Sequence, residues 1–227
     1  MKVVLTNDDG IDAPGLASLE LIFQQFSTPV VVAPQEAQSG VGHRVTTPSP
    51  IHVRHLKESR FSVGGTPADC TRLALKEYAP DAEWLIAGIN PGANLGSDVY
   101  QSGTLAAARE AAILGYRSIA ISQYIARDRQ VDWDVTRFHA TKVLSLLLKK
   151  SISAGQYWNV NLPHPIDYHS QLEYTFCSLD KNPHRYGYRR EADDYYYNGI
   201  IHERPRDSGY DVAVCFGGQV SITLLKI

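Results

Sequence analysis

Cysteine is scarce in this sequence, and the cysteines that are present lie far apart. The 227 residues include three of them, Cys70, Cys177 and Cys215. They form no CxxC pair and no Cys/His spacing typical of a zinc site. We therefore expect reduced, buried thiols in a cytoplasmic protein.

Long apolar runs and an excess of one charge are also lacking. No segment is apolar for long enough to span a membrane, and Met1-Lys2 leads directly into a strand-like run, so we expect neither secretion nor membrane insertion. The formal net charge of −2 gives no reason to expect a nucleic-acid duplex or a membrane as a partner.

Several familiar nucleotide-binding and nucleophile motifs are missing as well. No GxGxxG follows the first predicted strand and no GxxxxGK[ST] occurs, which argues against a dinucleotide site and a P-loop. No GxSxG elbow for a nucleophilic serine is found. An aspartyl-phosphate enzyme would be expected to carry Asp-x-Asp, whereas Asp8 and Asp9 are contiguous.

The chain instead alternates short apolar, β-branched runs with segments of helical periodicity. The runs predict buried strands of a parallel sheet, and their alternation with helices predicts helices on both faces. We therefore predict an α/β fold, a three-layer Rossmann-like and mostly parallel sheet, in a single domain over residues 1–227. Residues 181–210, rich in Tyr, Arg, Asp and Pro, are predicted to form an extended C-terminal β-hairpin or arm. The predicted strands are 3–6, 30–33, 84–87, 119–122, 159–163 and 219–224, and the predicted helices are 15–26, 67–78, 104–114 and 134–149.

Two adjacent carboxylates follow the first predicted strand. In open α/β sheets the ligand sits beyond the carboxyl ends of the strands, and in the turn ending at Gly10 both Asp8 and Asp9 can reach one site. Paired carboxylates are costly unless a cation or a proton neutralises them, and oxygen ligands favour Mg²⁺ or Mn²⁺ over zinc. The pattern alone is equally compatible with an Asx-turn followed by a helix N-cap.

Three further polar loops follow later elements. Ser39 lies beside a glycine and offers a hydroxyl, although a solvated loop is the simpler alternative. Asn90 and Asn94 lie in a glycine-rich loop whose backbone can approach a ligand closely. Residues 102–104 open an alanine-rich helix whose N-terminus suits either a phosphate or a plain N-cap. Together the loops describe carboxylates, hydroxyls and amides around a cation and a phosphate.

The segment Leu5–Gly15, LTNDDGIDAPG, resembles the N-terminal signature of the SurE family, the stationary-phase survival protein nucleotidases. The pieces NDDG and GINxGxNxG are specific in combination, and the likeness runs in order over nearly the whole chain. It recurs at Ser39–Gly42, Gly65–Cys70, Gly88–Asp98, Ser102–Thr104, Asn159–Pro163 and Gly218–Thr223.

The resemblance implies an activity and a set of site residues. The implied activity is hydrolysis of nucleoside 5′- and 3′-monophosphates, with polyphosphate ends cleaved by some members. One divalent metal ion per subunit, Mg²⁺ or Mn²⁺, is implied, and Asp8 and Asp9 are the candidate catalytic residues. The metal ligands map onto Asp8, Asp9, Ser39 and Asn90, and the phosphate contacts map onto Asn94, Ser102, Gly103 and Thr104.

The resemblance also implies a homodimer or homotetramer in which C-terminal segments are exchanged, and residues 181–210 are the candidates here. The sequence departs from the family pattern at Pro91 and Gln101, which leaves substrate preference open. A non-catalytic nucleotide sensor on the same scaffold is the alternative function. The retained metal ligands argue against that alternative.

Overall fold

A nine-stranded sheet forms the centre of the molecule, and the computed structural model describes residues 1–227. The strand order is 3-4-2-1-5-6-7-11-8, with strands 4, 2, 1, 5, 6 and 7 all parallel. Antiparallel pairs lie toward the two edges, between strands 3 and 4 and between strands 7 and 11. The strands are β1 (Val3–Thr6), β2 (Val30–Pro34), β3 (Val53–Lys57), β4 (Arg60–Val63), β5 (Trp84–Pro91), β6 (Arg117–Gln123), β7 (Gln156–Leu162), β8 (Tyr174–Phe176), β9 (Tyr186–Glu191), β10 (Asp194–Gly199) and β11 (Val220–Lys226).

Helices cover both faces of the sheet, so the predicted three-layer α/β fold is confirmed. A core of 23 buried residues includes side chains of α1 (Pro14–Gln24) and α4 (Trp133–Leu147). A second core of 19 buried residues, on the opposite face, includes side chains of α2 (Pro67–Leu73) and α3 (Gly103–Ile113). The short α5 (Asp211–Phe216) precedes β11.

The helix starts follow from local chemistry. Thr66 caps α2 through a reciprocal capping box, since its hydroxyl accepts from the Asp69 amide at 3.2 Å and the Asp69 carboxylate accepts from the Thr66 amide at 3.0 Å. The structure ends α2 earlier than predicted and continues it as a π-helical turn, Ala74–Tyr78. The small alanine side chains of α3 let that helix pack closely on the sheet, where most of its residues are buried.

Three parts of the regular structure were not predicted from the sequence, and one of them, β8, is a strand of only three residues. The β3–β4 hairpin carries exposed, charged side chains on β3, so it lacks the apolar alternation that reveals a strand. The helix α5 has six residues, too few to establish a helical period. None of the three is marked by a local periodic pattern in the sequence.

The predicted C-terminal β-hairpin is confirmed as β9 and β10, which pair antiparallel and form a sheet of their own. Its five tyrosines are between 44% and 62% exposed, and the rings of all but Tyr196 contact one another. A 3-10 turn, Ile201–Glu203, follows the hairpin. No helix in the chain is long and apolar enough to cross a bilayer. The exposed tyrosines of the hairpin are Tyr186, Tyr188, Tyr195, Tyr196 and Tyr197.

Candidate metal and phosphate site

The candidate site lies where the order of the strands reverses. From β1 the chain builds outward through β2 and β4 on one side, and then returns to place β5, β6 and β7 on the other side. Asp8 and Asp9 follow β1, and Asn90 lies near the end of the adjacent β5. Crevices at such a switch point are the usual binding sites of open α/β sheets.

A pocket of about 260 Å³ gathers most of the predicted site residues. All of the predicted metal ligands and two of the predicted phosphate contacts line it, together with Asp98. None of the lining residues is basic. The pocket is lined by Asp8, Asp9, Ser39, Gly40, Asn90, Pro91, Asn94, Asp98, Gln101 and Ser102.

Asp8 is held at the N-terminus of α3. Its carboxylate accepts a short hydrogen bond from the Thr104 hydroxyl, and its side chain is 6% exposed. Burial raises the pKa of Asp8 above its ordinary value of 3.8, although that hydrogen bond and the amides of Gly103 and Thr104 oppose the rise. A Cβ on Gly103 would lie 2.7 Å from the Cβ of Asp8, so only glycine permits this approach.

This arrangement changes the expected role of Gly103 and Thr104. Both were predicted to contact phosphate, but neither lines the pocket, and Thr104 is fully buried. Their donors face Asp8 instead, so the positive end of the α3 dipole already has a carboxylate as its partner. The sequence reveals the anion-binding helix N-terminus but not the identity of the anion.

Asp9 has a free carboxylate oxygen. Its Oδ2 is buried and makes no hydrogen bond. Burial, and to a smaller extent the negative charge of Asp8, raise the pKa of Asp9 to about 7. A divalent cation would neutralise both carboxylates and give this oxygen a partner, so the residues fit such an ion.

The remaining donors suit a hard cation better than a soft one. No group of three or more His, Cys, Asp or Glu side chains in residues 1–227 is arranged to hold a metal, so the set depends on hydroxyl and amide oxygens. Asn90 donates its Nδ2 to the Gly92 carbonyl at 2.6 Å, which leaves Oδ1 as the end available to a ligand. Ser39 is exposed and lines the same pocket. Oxygen-only ligand sets favour Mg²⁺ or Mn²⁺.

Two buried asparagines of β7 hold the loop that contains Asn94. The Asn94 amide donates to Asn161 Oδ1 at 2.7 Å, and Asn159 donates to the Asn94 carbonyl at 2.9 Å. The Asn94 side chain donates to Ser122 at 2.9 Å. Asn159 and Asn161 are fully buried in β7, and buried polar groups need hydrogen-bond partners. Two asparagines within an apolar strand are therefore the sequence signal that could have indicated their role in holding this loop.

The C-terminal segment reaches the pocket through Asp98. Arg204 donates to the Asp98 carboxylate at 2.6 Å, and His184 Nε2 lies 3.0 Å from it. The Arg204 side chain is 5% exposed, so this ion pair is largely protected from solvent. No local pattern in the sequence indicates this role of Arg204, because 106 residues separate it from Asp98.

Fold and pocket together define a Rossmann-like α/β protein with an acidic site at the switch in strand order. The family model described as survival protein SurE matches residues 3–185. The chain belongs to the SurE family.

Relatives and a solved structure agree with that membership. A protein of Nostoc sp. is 43% identical over 227 residues, which is 100% of both chains. The 5′-nucleotidase SurE of Methylobacterium radiotolerans is 46% identical over 170 residues, covering 72% of this chain and 66% of its own. The crystal structure of the SurE protein from Aquifex aeolicus superposes with a TM-score of 0.86 at 28% identity, covering 100% of this chain and 93% of that one.

Proposed function

We propose that this protein is a divalent-metal-dependent phosphomonoesterase that hydrolyses nucleoside 5′-monophosphates, and also 3′-monophosphates, to nucleoside and phosphate. The observation that carries this proposal is the pocket wall, which has carboxylates, hydroxyls and amides but no basic side chain. A phosphate dianion in such a pocket requires a cation, and hard oxygen donors are present to hold one. We propose one Mg²⁺ or Mn²⁺ per subunit.

The support for a nucleoside in the proposed substrate comes from the names of the relatives. Proteins of Methylobacterium radiotolerans and Phenylobacterium zucineum, 46% and 38% identical to this chain over the aligned residues, are both named 5′-nucleotidase SurE. Their names support a nucleoside monophosphate as the substrate class. Self-association through residues 181–210 and a cytoplasmic location are part of the same proposal.

The proposed reaction assigns a task to each group around the pocket. Asp8, Asp9, Ser39 and Asn90 would hold the cation, which when bound supplies positive charge to a phosphoryl oxygen and makes nearby water more acidic. Ser102 keeps its hydroxyl proton available, because its Oγ only accepts, from the Leu105 amide at 3.1 Å.

The proton of the attacking water goes to Asp9 in this scheme. Asp8 already accepts from Thr104. In Asp9, Oδ2 is the oxygen offered to the cation, so the second carboxylate oxygen is the one assigned to the proton. Fixed donors around the pocket need little rearrangement as charge develops on the phosphoryl oxygens, which is the usual basis of such catalysis.

The test is phosphate release from matched panels of 5′- and 3′-nucleoside monophosphates with Mg²⁺, Mn²⁺ or a chelator. We expect release only with metal, and restoration when metal is added back to the chelated protein. Folded protein that binds nucleotide but releases no phosphate with any metal would favour the sensor function. Release that persists in chelator would refute the metal-dependent reaction.

A further inference from the structure

The loop that contains Ser39 has no regular secondary structure to fix it. Residues 35–52 lie between β2 and β3 without a helix or strand, and Ser39 is exposed. Nearest to Ser39, backbone hydrogen bonds hold the loop where the Gln38 amide donates to the Asp8 carbonyl at 2.7 Å and the Gly42 amide donates to the Gln101 carbonyl at 3.1 Å. Further along the loop, the Thr66 hydroxyl donates to the Arg44 carbonyl at 2.6 Å and the Thr46 amide donates to Asp69 at 2.8 Å. A ligand on such a loop needs further support to keep its direction.

His43 supplies a side-chain anchor for this loop. Its Nε2 lies 2.6 Å from Oε2 of Glu110, and its Nδ1 lies 3.3 Å from Nη1 of Arg109. A guanidinium can only donate, so Nδ1 accepts from Arg109 and the ring proton is on Nε2, which donates to Glu110. The imidazole is therefore oriented by one acceptor and one donor on opposite sides.

The two partners of His43 belong to α3, the helix whose N-terminus faces Asp8. The Glu110 side chain is 2% exposed and is also bound by Arg72 Nε at 2.6 Å. Arg109 donates from Nη2 to the Val99 carbonyl at 2.6 Å, in the 3-10 turn Gly96–Tyr100 that includes Asp98. The pair Arg109–Glu110 thus contacts both the Ser39 loop and the turn that includes Asp98.

We propose that His43 is a positioning residue that, through Glu110 and Arg109, fixes the Ser39 loop against α3 and so aims the Ser39 hydroxyl at the cation. This rests on the proposed function, because Ser39 is a metal ligand only there. His43 does not line the pocket, so it acts through the loop and not on the substrate.

Arg72 provides the matched control. It binds the same carboxylate as His43 but comes from α2, and its hydrogen bond does not involve the Ser39 loop. If the only role of His43 were to neutralise buried Glu110, loss of either partner would have the same consequence. Positioning predicts that only loss of His43 disturbs the loop.

The variants are His43→Asn, His43→Gln and Arg72→Gln. Glutamine keeps an N–H donor near the position of Nε2, whereas asparagine is too short to reach Glu110. In His43→Asn we expect the Kd for Mn²⁺, measured by electron paramagnetic resonance without substrate, to rise about 10-fold. In His43→Gln we expect the Kd to return close to the wild-type value, and in Arg72→Gln we expect a lower Tm with an unchanged Kd.

Hydrogen exchange of residues 38–44 without metal is the second readout. We expect faster exchange in His43→Asn than in the wild type, and wild-type exchange in both His43→Gln and Arg72→Gln. A folded His43→Asn with unchanged Mn²⁺ affinity and unchanged exchange would overturn the inference. Equal effects in His43→Asn and Arg72→Gln would also overturn it, because they would show a general role of Glu110.

The proposed function fails in a different way. A wild-type protein that binds no Mn²⁺ and releases no phosphate would refute that function. Hydrogen exchange of residues 38–44 in His43→Asn and in the wild type would then still show whether His43 fixes the loop.

Discussion

In most proteins polar side chains are exposed and large aromatic side chains are buried. The pocket and the C-terminal hairpin depart from this distribution in opposite ways. At the pocket, Asp8 and the asparagines of β7 are buried polar groups, and each is bonded to a residue far away in the sequence. On the hairpin, large aromatic rings are exposed and contact mainly one another. Buried polar groups and exposed aromatic groups are both informative exceptions. The first is the proposed metal and phosphate site, and the second is the surface proposed for self-association.

The largest expected effect is at Asp9. Asp9→Asn removes a ligand charge and the proposed proton acceptor, so we expect kcat/KM for a 5′-monophosphate to fall at least about 1,000-fold, roughly 4 kcal/mol. Steady-state kinetics at saturating metal measures it. Asp12→Asn is the matched control, since Asp12 is exposed in the same loop and outside the pocket. Equal activity of the two variants would remove Asp9 from the proposed reaction.

A smaller effect on stability and activity is expected at Thr104, which supports Asp8 without lining the pocket. Thr104→Val keeps the side-chain shape but leaves the Asp8 carboxylate without its hydroxyl donor. We expect unfolding free energy to fall by about 1–3 kcal/mol and activity to fall about 10-fold or more. Thr104→Ser keeps the hydroxyl and should retain most activity. Chemical denaturation and kinetics on both variants separate loss of the hydrogen bond from loss of the methyl group.

On the hairpin, we expect polar substitution to leave the fold nearly unchanged. Tyr188→Ser should alter unfolding free energy by no more than about 0.5 kcal/mol, because Tyr188 is exposed. Light scattering should show a smaller assembly if the hairpin mediates self-association. In contrast, Tyr124→Ser should destabilise the protein by about 3 kcal/mol, since Tyr124 is buried and stacks on Phe216. An unchanged mass in Tyr188→Ser would point to another self-association surface.

The smallest expected effect is on the stability of the protein in acid. It arises at Asp69, which binds Thr46 of the Ser39 loop. Burial alone would raise the pKa of Asp69, but hydrogen bonds from Thr46 and Thr66 outweigh it and lower that pKa below 3.8. A depressed folded-state pKa stabilises the protein above the unfolded value and loses that contribution as pH falls through the folded value. We therefore expect unfolding free energy to decrease below about pH 4. The decrease should be shallower in Asp69→Asn, measured by denaturation at several pH values.

The strands and helices of the parallel core were predictable because each is indicated by a pattern within its own segment of the sequence. Apolar runs such as Val30–Pro34 and the capping residue Thr66 encode their own elements. The residues that meet in the pocket were also predictable, since parallel strands bring their carboxyl ends to one edge. The C-terminal hairpin was predicted, but its role in self-association remains a prediction.

The supporting contacts were not predictable from local patterns. His43 and Glu110 are 67 residues apart, and nothing near either of them specifies the other. The Ser102–Thr104 motif shows an anion-binding helix N-terminus, yet only the tertiary structure shows that Asp8 is the anion for Thr104. Sequence therefore identifies donor and acceptor types, and tertiary packing decides which of them form pairs.

The absence of basic side chains from the pocket wall sets an order of events in the proposed reaction. A nucleotide phosphate arriving alone would meet the negative charges of Asp8 and Asp9 with no lysine or arginine to offset them. In the proposed reaction we therefore expect the cation to bind before the phosphate or together with it, and not after it. Free nucleotide in excess over metal should then slow turnover by sequestering the ion, rather than by occupying the protein.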